Sequence, residues 1–293
     1  MSARNTAMSA GVTGIALVFA ILVVSVAPAW SQPAPIDFPG ARDTRPQAIS
    51  ATGVISGVYV SQDRRTHGFV LDRGEFTSID FPGAIFTSAQ GINPAGDVVG
   101  LYELPTDVDF RGYLYSQGNY FPIEIPGALN VRPFGINPQG DVVGGYVGAD
   151  RRSHGFLMRQ GELINLDPPG SLNAALLDIS PRGDVLGRYQ QPAGVFHTFM
   201  FADGEFASFD VPGALSNGGM GARASVNPQG EVVSSYTGTD GRIRGVLFDA
   251  DGPKTIDFPN TQFVIATGLN ARGEIVGWYR DLAGRDHGFL IRR

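Results

Sequence analysis

The chain has 293 residues, of which 43% are hydrophobic and 17% charged, and its formal net charge is −6 at pH 7. This composition is typical of a folded protein with a large core and excludes a mainly disordered chain. The acidic balance argues against binding to nucleic acid or to an anionic membrane surface. Cysteine is absent, which excludes disulfides, thiol catalysis and cysteine-ligated zinc.

The N-terminal segment differs from the rest of the chain. Arg4 is its only charge, residues 11–26 form an apolar run, and the small residues of APAWS follow. This arrangement predicts a signal peptide over residues 1–31 and a single mature domain over 32–293. We therefore expect a secreted or periplasmic protein without membrane insertion after cleavage. An uncleaved membrane anchor is the alternative, although the apolar run is short for a full span.

A five-residue phrase recurs along the mature chain and divides it into six units. It reads IDFPG, IDFPG, IEIPG, LDPPG, FDVPG and IDFPN at residues 36–40, 79–83, 123–127, 166–170, 209–213 and 256–260. Each copy is followed by a turn phrase such as GINPAGDVVGLY, then by a histidine phrase such as HGFVL, then by a glycine turn. Self-similarity at a period of about 43 residues is typical of repeat architectures.

Each unit predicts four short strands, which we name A to D. The N-P-x-G step is turn chemistry that joins strand A to strand B, and the DVVGxY phrase of strand B is rich in β-branched residues. A loop leads to strand C, which contains HGFL, and a glycine turn leads to strand D, which ends in IDFPG. Four strands in about 43 residues, repeated six times, predict an all-β, six-bladed β-propeller.

The two ends of the mature chain complement each other. The last unit stops at HGFLIRR without a strand D, and the mature chain begins with a strand D that has no unit before it. We expect residues 33–38 to complete the last blade and close the ring. Pro33 and Pro35 suit an edge strand, where the missing N–H groups face solvent. An open β-solenoid, with caps at both ends, is the alternative.

These repeats resemble the bacterial extracellular HAF-repeat family, which is named after a His-Ala-Phe step that reads His-Gly-Phe or His-Thr-Phe here. The resemblance rests on the phrases GINPxGDVVGxY, HGF and IDFPGA and covers residues 36–293. It implies export and a β-repeat architecture. It brings no catalytic residues to this chain.

Each unit carries a basic side chain in strand C, and in five units an acid follows thirteen residues later in strand D. Two-residue turns between these strands, such as Arg73-Gly74, would place the two side chains opposite each other. A three-residue turn would shift the register and separate them. The predicted structural pairs are His67–Asp80, Arg111–Glu124, His154–Asp167, His197–Asp210, Arg244–Asp257 and, through the N-terminal strand, His287–Asp37.

The histidines fit a metal site or a catalytic site less well. Equivalent strand-C positions in neighbouring blades lie roughly 15 Å apart, too far to share one ion. No serine recurs where a Ser-His-Asp arrangement needs one, and two units carry arginine instead of histidine. The tyrosine that ends strand B in every unit predicts packing, although a tyrosine ring can also bind sugars. The D-x-D at 107–109 is a weak calcium motif, and we expect neither a metal nor a cofactor.

Specific function should lie in what differs between the units. The first and third units share arginines in the B–C loop and at the start of strand A, and strand A holds further unusual residues in later units. Converging arginines suit a carboxylate, phosphate or sulfate, whereas solvated surface arginines are the simpler interpretation. The candidate ligand-binding residues are Arg45, Arg64, Arg65, Arg132, Arg151, Arg152, Asp178 and Arg223.

The sequence thus predicts an exported, monomeric, non-enzymatic module that binds an anionic glycan, an envelope component or a protein. One alternative is an extracellular lyase or hydrolase that acts on a polysaccharide at the channel mouth. The other is a purely structural repeat protein. Binding is favoured because no nucleophile–base pair stands outside the repeat pattern.

Overall fold

The computed structural model describes residues 33–217 and 223–293, which form strands joined by turns and loops. The predicted signal peptide lies outside these residues. Within the described ranges no helix is long and apolar enough to cross a membrane.

The strands follow the sequence repeats. The N-terminal strand β1 (Ala34–Ile36) precedes the first unit. The first three units hold β2 (Asp43–Ile49), β3 (Ile55–Val60), β4 (Thr66–Asp72), β5 (Glu75–Ile79), β6 (Phe86–Ile92), β7 (Val98–Glu103), β8 (Arg111–Ser116), β9 (Asn119–Ile123), β10 (Asn130–Ile136), β11 (Val142–Val147), β12 (Ser153–Arg159) and β13 (Glu162–Asn165). The later units hold β14 (Asn173–Ile179), β15 (Val185–Gln190), β16 (Phe196–Ala202), β17 (Glu205–Phe209), β18 (Ser216–Asn217), β19 (Ser225–Val226), β20 (Val232–Thr237), β21 (Ile243–Asp249), β22 (Gly252–Ile256), β23 (Thr261–Leu269), β24 (Ile275–Asp281) and β25 (Asp286–Ile291).

Consecutive strands of a unit pair antiparallel, so that each unit is a small meander. The first two units share one sheet because a single parallel bridge joins Thr66 to Phe86. In the fifth unit two short strands, β18 and β19, both pair with β20. The described residues therefore form an all-β structure arranged as a β-propeller, as the sequence predicts.

The N-terminal strand belongs to the last sheet. Strand β1 pairs antiparallel with β25, with Pro35 opposite Phe289, and the sheet order is β1-β25-β24-β23. Because β1 is an edge of that sheet, Pro35 breaks no ladder between two neighbouring strands.

Strand A carries a β-bulge that the repeat pattern does not predict. In the first unit the register skips between Pro46 and Ala48, and the same shift recurs in the second, third, fourth and sixth units. A bulge re-aims one side chain out of the regular alternation. The residues at the bulges are Gln47, Gln90, Phe134, Leu177 and Thr267, and all five line a central cavity.

The core of a unit is a strand-C ring that lies over a strand-B glycine. Phe156 is fully buried and stands opposite Gly144, where an added Cβ would lie 2.6 Å from the ring. The fifth unit departs from this pattern at both positions, since Ser234 stands opposite Val246. The larger strand-B residue is therefore matched by a smaller strand-C residue, which keeps the packing dense.

Candidate functional site

The hairpin between strands C and D has a two-residue turn. In the first unit Asp72 pairs with Glu75, and the turn residues Arg73 and Gly74 have φ angles of 46° and 88°. Positive φ at both central residues is typical of a type I′ turn. This register places the strand-C cation directly opposite the strand-D acid.

The structure brings five of the six predicted cation–acid pairs together. The distances are 2.9 Å for His67 Nδ1 to Asp80, 2.7 Å for His154 Nδ1 to Asp167, 2.6 Å for His197 Nδ1 to Asp210, 3.1 Å for Arg244 Nε to Asp257 and 3.2 Å for His287 Nδ1 to Asp37. A strand-B tyrosine flanks each histidine, as Tyr59 does His67 with ring centroids 4.9 Å apart. These contacts tie three strands of a unit together.

His154 has a second acidic neighbour. Its Nε2 lies 3.2 Å from Asp150 in the B–C loop, while its Nδ1 faces Asp167. Burial acts to lower the pKa of His154, but the hydrogen bonds to the two carboxylates outweigh it, so the pKa is raised overall.

The structure does not contain the predicted pair of Arg111 and Glu124. Arg111 Nη2 donates to Asp107 at 2.6 Å instead. The reason is the B–C loop of the second unit, which places Asp107 beside strand C; Asp107 also accepts from the backbone of Leu104. In the same loop Asp109 accepts from Asn130, and within residues 33–217 and 223–293 no cluster of three potential metal ligands occurs.

The B–C loop arginines of the first and third units lie in exposed turns. Arg64 and Arg151 adopt positive φ angles of 67° and 65°, and their neighbours Arg65 and Arg152 are also exposed. None of the four lines the central cavity or the groove described below. The structure therefore does not bring them together with the strand-A candidates.

Arg45 is held by another side chain. Its Nε lies 2.6 Å from Asp286, which is fully buried and also contacts Arg280 at 2.6 Å. The guanidinium carbon of Arg45 stands 5.2 Å from the ring centroid of Trp278. Its place is thus within an ion-pair network rather than in an open site.

A groove of ≈ 500 Å³ separates the third and fourth units. Arg132 and Arg188 lie on its wall, each over a phenylalanine, at 5.4 Å from the Phe110 ring and 5.5 Å from the Phe196 ring. The amide of Asn173 donates to Gln190 at 2.8 Å on the same wall. Two cations, aromatic faces and amides therefore line one groove.

Positive charge dominates this groove. Burial lowers the pKa of Arg188 to about 10, and the charge of Arg132 adds to the effect. Burial also lowers the pKa of Arg132, with Asp109 opposing it, although the side chain keeps contact with solvent. Both guanidinium groups stay charged at pH 7, so the groove favours an anion.

Arg223 reaches into the central cavity of ≈ 100 Å³. It donates from Nε to Gln47 at 3.1 Å and from Nη2 to Gln90, and it lies 4.2 Å above the Phe134 ring. Burial lowers its pKa to about 9, and the charges of Arg188 and Arg132 contribute. Phe134 lines both the cavity and the groove.

Asp178 lies on the wall of the same cavity and joins two units. It accepts from Ser225 Oγ at 2.7 Å, from Val226 N at 3.0 Å and from Ile179 N at 2.9 Å. Burial raises its pKa to about 6, and the hydrogen bonds only partly oppose that shift. The carboxylate therefore connects the inner strands of the fourth and fifth units.

Arg188 and Phe196 were not predicted from the sequence, although a signal was present. Arg188 directly precedes the tyrosine that recurs in strand B of every unit. At the position before that tyrosine, the other units have Val58, Leu101, Gly145, Ser235 and Trp278. Comparing the units at that position shows Arg188 as the odd member, as the same comparison did for Arg223.

Comparison with known proteins gives the fold. The sequence matches no known protein-family profile and no curated protein. Similar solved structures include AofleA from Arthrobotrys oligospora (13% identity, TM-score 0.58, 89% of this chain and 86% of that chain) and a putative TolB from Agrobacterium tumefaciens (15%, 0.58, 85% and 90%). The SapL1 lectin in complex with alpha methyl fucoside is another (10%, 0.57, 86% and 94%). At these identities the likeness shows a shared β-propeller fold.

Proposed function

We propose that this chain is an exported, non-enzymatic β-propeller of the HAF-repeat kind that binds an anionic glycan in the groove between its third and fourth units. The observation that carries the proposal is the convergence of Arg132 and Arg188 with the Phe196 ring on one open groove of ≈ 500 Å³. Guanidinium groups bind carboxylates and sulfates through charge-assisted hydrogen bonds.

The groove also offers the neutral contacts that a sugar needs. The faces of Phe196 and Tyr146 can pack against the apolar face of a sugar ring, and the amides of Asn173 and Gln190 can contact hydroxyls. Similar structures include lectins in complex with alpha methyl fucoside and with Fucalpha1-6GlcNAc, which supports a carbohydrate as the ligand class.

We further propose that the propeller has six blades and a closed ring. The pairing of β1 with β25 supports closure, as do contacts between the last unit and the first. Thr267 Oγ1 donates to Pro46 O at 3.0 Å, and Arg45 contacts Asp286. In such a ring β1 covers the edge of β25 and is itself the outer strand of the last sheet.

Binding of the mature domain to an array of acidic and neutral glycans tests the proposal. The double variant Arg132→Gln/Arg188→Gln removes two charges from the groove, and Arg151→Gln/Arg152→Gln removes two from an exposed turn as the matched control. We expect acidic glycans to bind wild type and the control, and the groove variant to bind at least about tenfold more weakly.

Two results would overturn this assignment. Equal binding by both double variants would remove the groove as the site. Depolymerisation of an acidic polysaccharide by the wild-type domain would replace a binding module with an enzyme.

A further inference from the structure

Among residues 33–217 and 223–293, two acceptors contact the guanidinium of Arg223, which has more donors than that. A guanidinium carries five N–H donors, and the contacts to Gln47 and Gln90 use two of its nitrogens. Among residues 33–217 and 223–293 no carboxylate forms an ion pair with Arg223, and residues 1–32 and 218–222 contain no Asp or Glu. The guanidinium of Arg223 therefore has N–H donors that no carboxylate of the protein accepts.

The surroundings of Arg223 make its charge costly. The side chain is partly buried in the cavity, its hydrogen-bond acceptors are neutral amides, and its ring partner is Phe134. Arg132 and Arg188 add repulsion, as their effect on its pKa shows. A buried charge without a counter-charge destabilises a protein unless something neutralises it.

The cavity has room for a small ion. Its volume of ≈ 100 Å³ exceeds the roughly 10–15 Å³ that one water molecule occupies by this measure several times over. The planar fork of an arginine matches the oxygens of a tetrahedral oxyanion. Size, charge and donor geometry therefore agree on one ligand class.

We propose that the central cavity is a binding site for a small oxyanion, such as sulfate or phosphate, held by the guanidinium of Arg223. This site differs from the glycan groove, because Arg223 lines the cavity and is not among the residues that line the groove, although Phe134 lines both. The proposal does not depend on the proposed function.

Asp178 is the other ionisable side chain on the wall of this cavity among the described residues. Its oxygens are occupied by donors from Ser225, Val226 and Ile179 rather than by Arg223. A charged carboxylate on the wall repels an anion, so sulfate binds more tightly at pH 5 than at pH 8. Sulfate is the better probe because its own charge is constant over this range.

Sulfate binding to the cavity is measured by thermal unfolding at increasing millimolar sulfate, with the ionic strength matched by sodium chloride. A ligand that binds the folded state raises Tm in a saturable way, whereas general salting-out by sulfate does not saturate. We expect a saturable rise for wild type and for Arg132→Gln/Arg188→Gln. Arg223→Gln should lose it, with affinity at least about tenfold weaker by calorimetry.

Arg223→Lys keeps the charge without the fork and should bind sulfate with intermediate affinity; it also serves if Arg223→Gln does not fold. The proposal is overturned if wild type shows no saturable rise, or if sulfate binds Arg223→Gln as tightly as wild type. Loss of glycan binding with retained sulfate binding, in the groove variant, separates this site from the proposed function.

Discussion

Arg45 and Asp286 are 241 residues apart in sequence, and their side chains meet at 2.6 Å. Asp286 is fully buried and has a second cationic partner in Arg280. The contact joins the first unit to the last one. Arg45 was a candidate for ligand binding, but its guanidinium is engaged in a structural network.

Removal of Arg45 should therefore destabilise the fold. Arg45→Ala leaves the buried Asp286 carboxylate with one cation instead of two, and we expect a loss of about 3 kcal/mol in the free energy of unfolding. Denaturant unfolding measures it, with Arg65→Ala as the control. Arg65 is exposed and its contact to Asp63 is 3.6 Å long, so its removal should change little. Equal effects of the two variants would contradict this interpretation.

His154 should titrate above the ordinary histidine range. The hydrogen bonds to Asp167 and Asp150 raise its pKa in the folded state. A raised folded pKa contributes stability that is fully present below the unfolded pKa and is lost as pH rises through the folded pKa. NMR titration of the imidazole checks the direction. Asp150→Asn should lower the pKa toward the ordinary value, and a wild-type pKa below 6.5 would contradict the prediction.

Asp178 should give the opposite pH dependence from a salt-bridged acid. Its folded pKa of about 6 lies above its ordinary value of 3.8, so the folded state favours the neutral form. The Asp178 carboxyl makes an unfavourable contribution to the free energy of unfolding. This contribution is absent below the unfolded pKa, grows as pH rises, and reaches its full size above about pH 6. From the two values we expect a difference of about 3 kcal/mol between these limits.

The difference in unfolding free energy between wild type and Asp178→Asn isolates that contribution. Measured against pH, it should shift in favour of the variant as pH rises from 4 to 7. A difference that stays constant with pH would show that the pKa of Asp178 is the same in the folded and unfolded states, which contradicts the prediction.

The fifth unit offers a test of core packing by exchange. Val246→Phe alone should destabilise, because Ser234 occupies the space that a glycine leaves free opposite the ring in other units. Adding Ser234→Gly should restore stability, and it also removes a buried hydroxyl that has no hydrogen-bond partner among the described residues. We expect a coupling of about 1–3 kcal/mol in this double-mutant cycle. Additive effects would show that the two positions are independent.

The repeated phrases of the sequence predict the propeller arrangement and most of the strand pairing. The spacing of His67 and Asp80 predicts that they lie opposite each other if the turn has two residues, and the structure shows that turn length. The pairing of β1 with β25 followed in the same way from an unmatched strand at each end. These features depend on short-range turn chemistry that is visible in the repeats.

Contacts across the cavity were not predictable by the same means. Arg223 meets Gln47 and Gln90 because bulges turn those side chains inward, and the bulges have no clear sequence signal. Arg111 contacts Asp107 because the B–C loop of the same unit reaches strand C. Such partners depend on how several strands sit in space, which spacing within a repeat does not encode.

The pairing of β1 with β25 also sets an order of assembly. His287 and Asp37, which face each other across these strands, are 250 residues apart. During synthesis β1 emerges before every other described strand and its partner emerges after all of them. The pairing that covers the edge of β25, with three residue pairs, therefore cannot form before the last described strand has emerged. Contacts of this separation form slowly, and until they form that edge is open to strands from other chains.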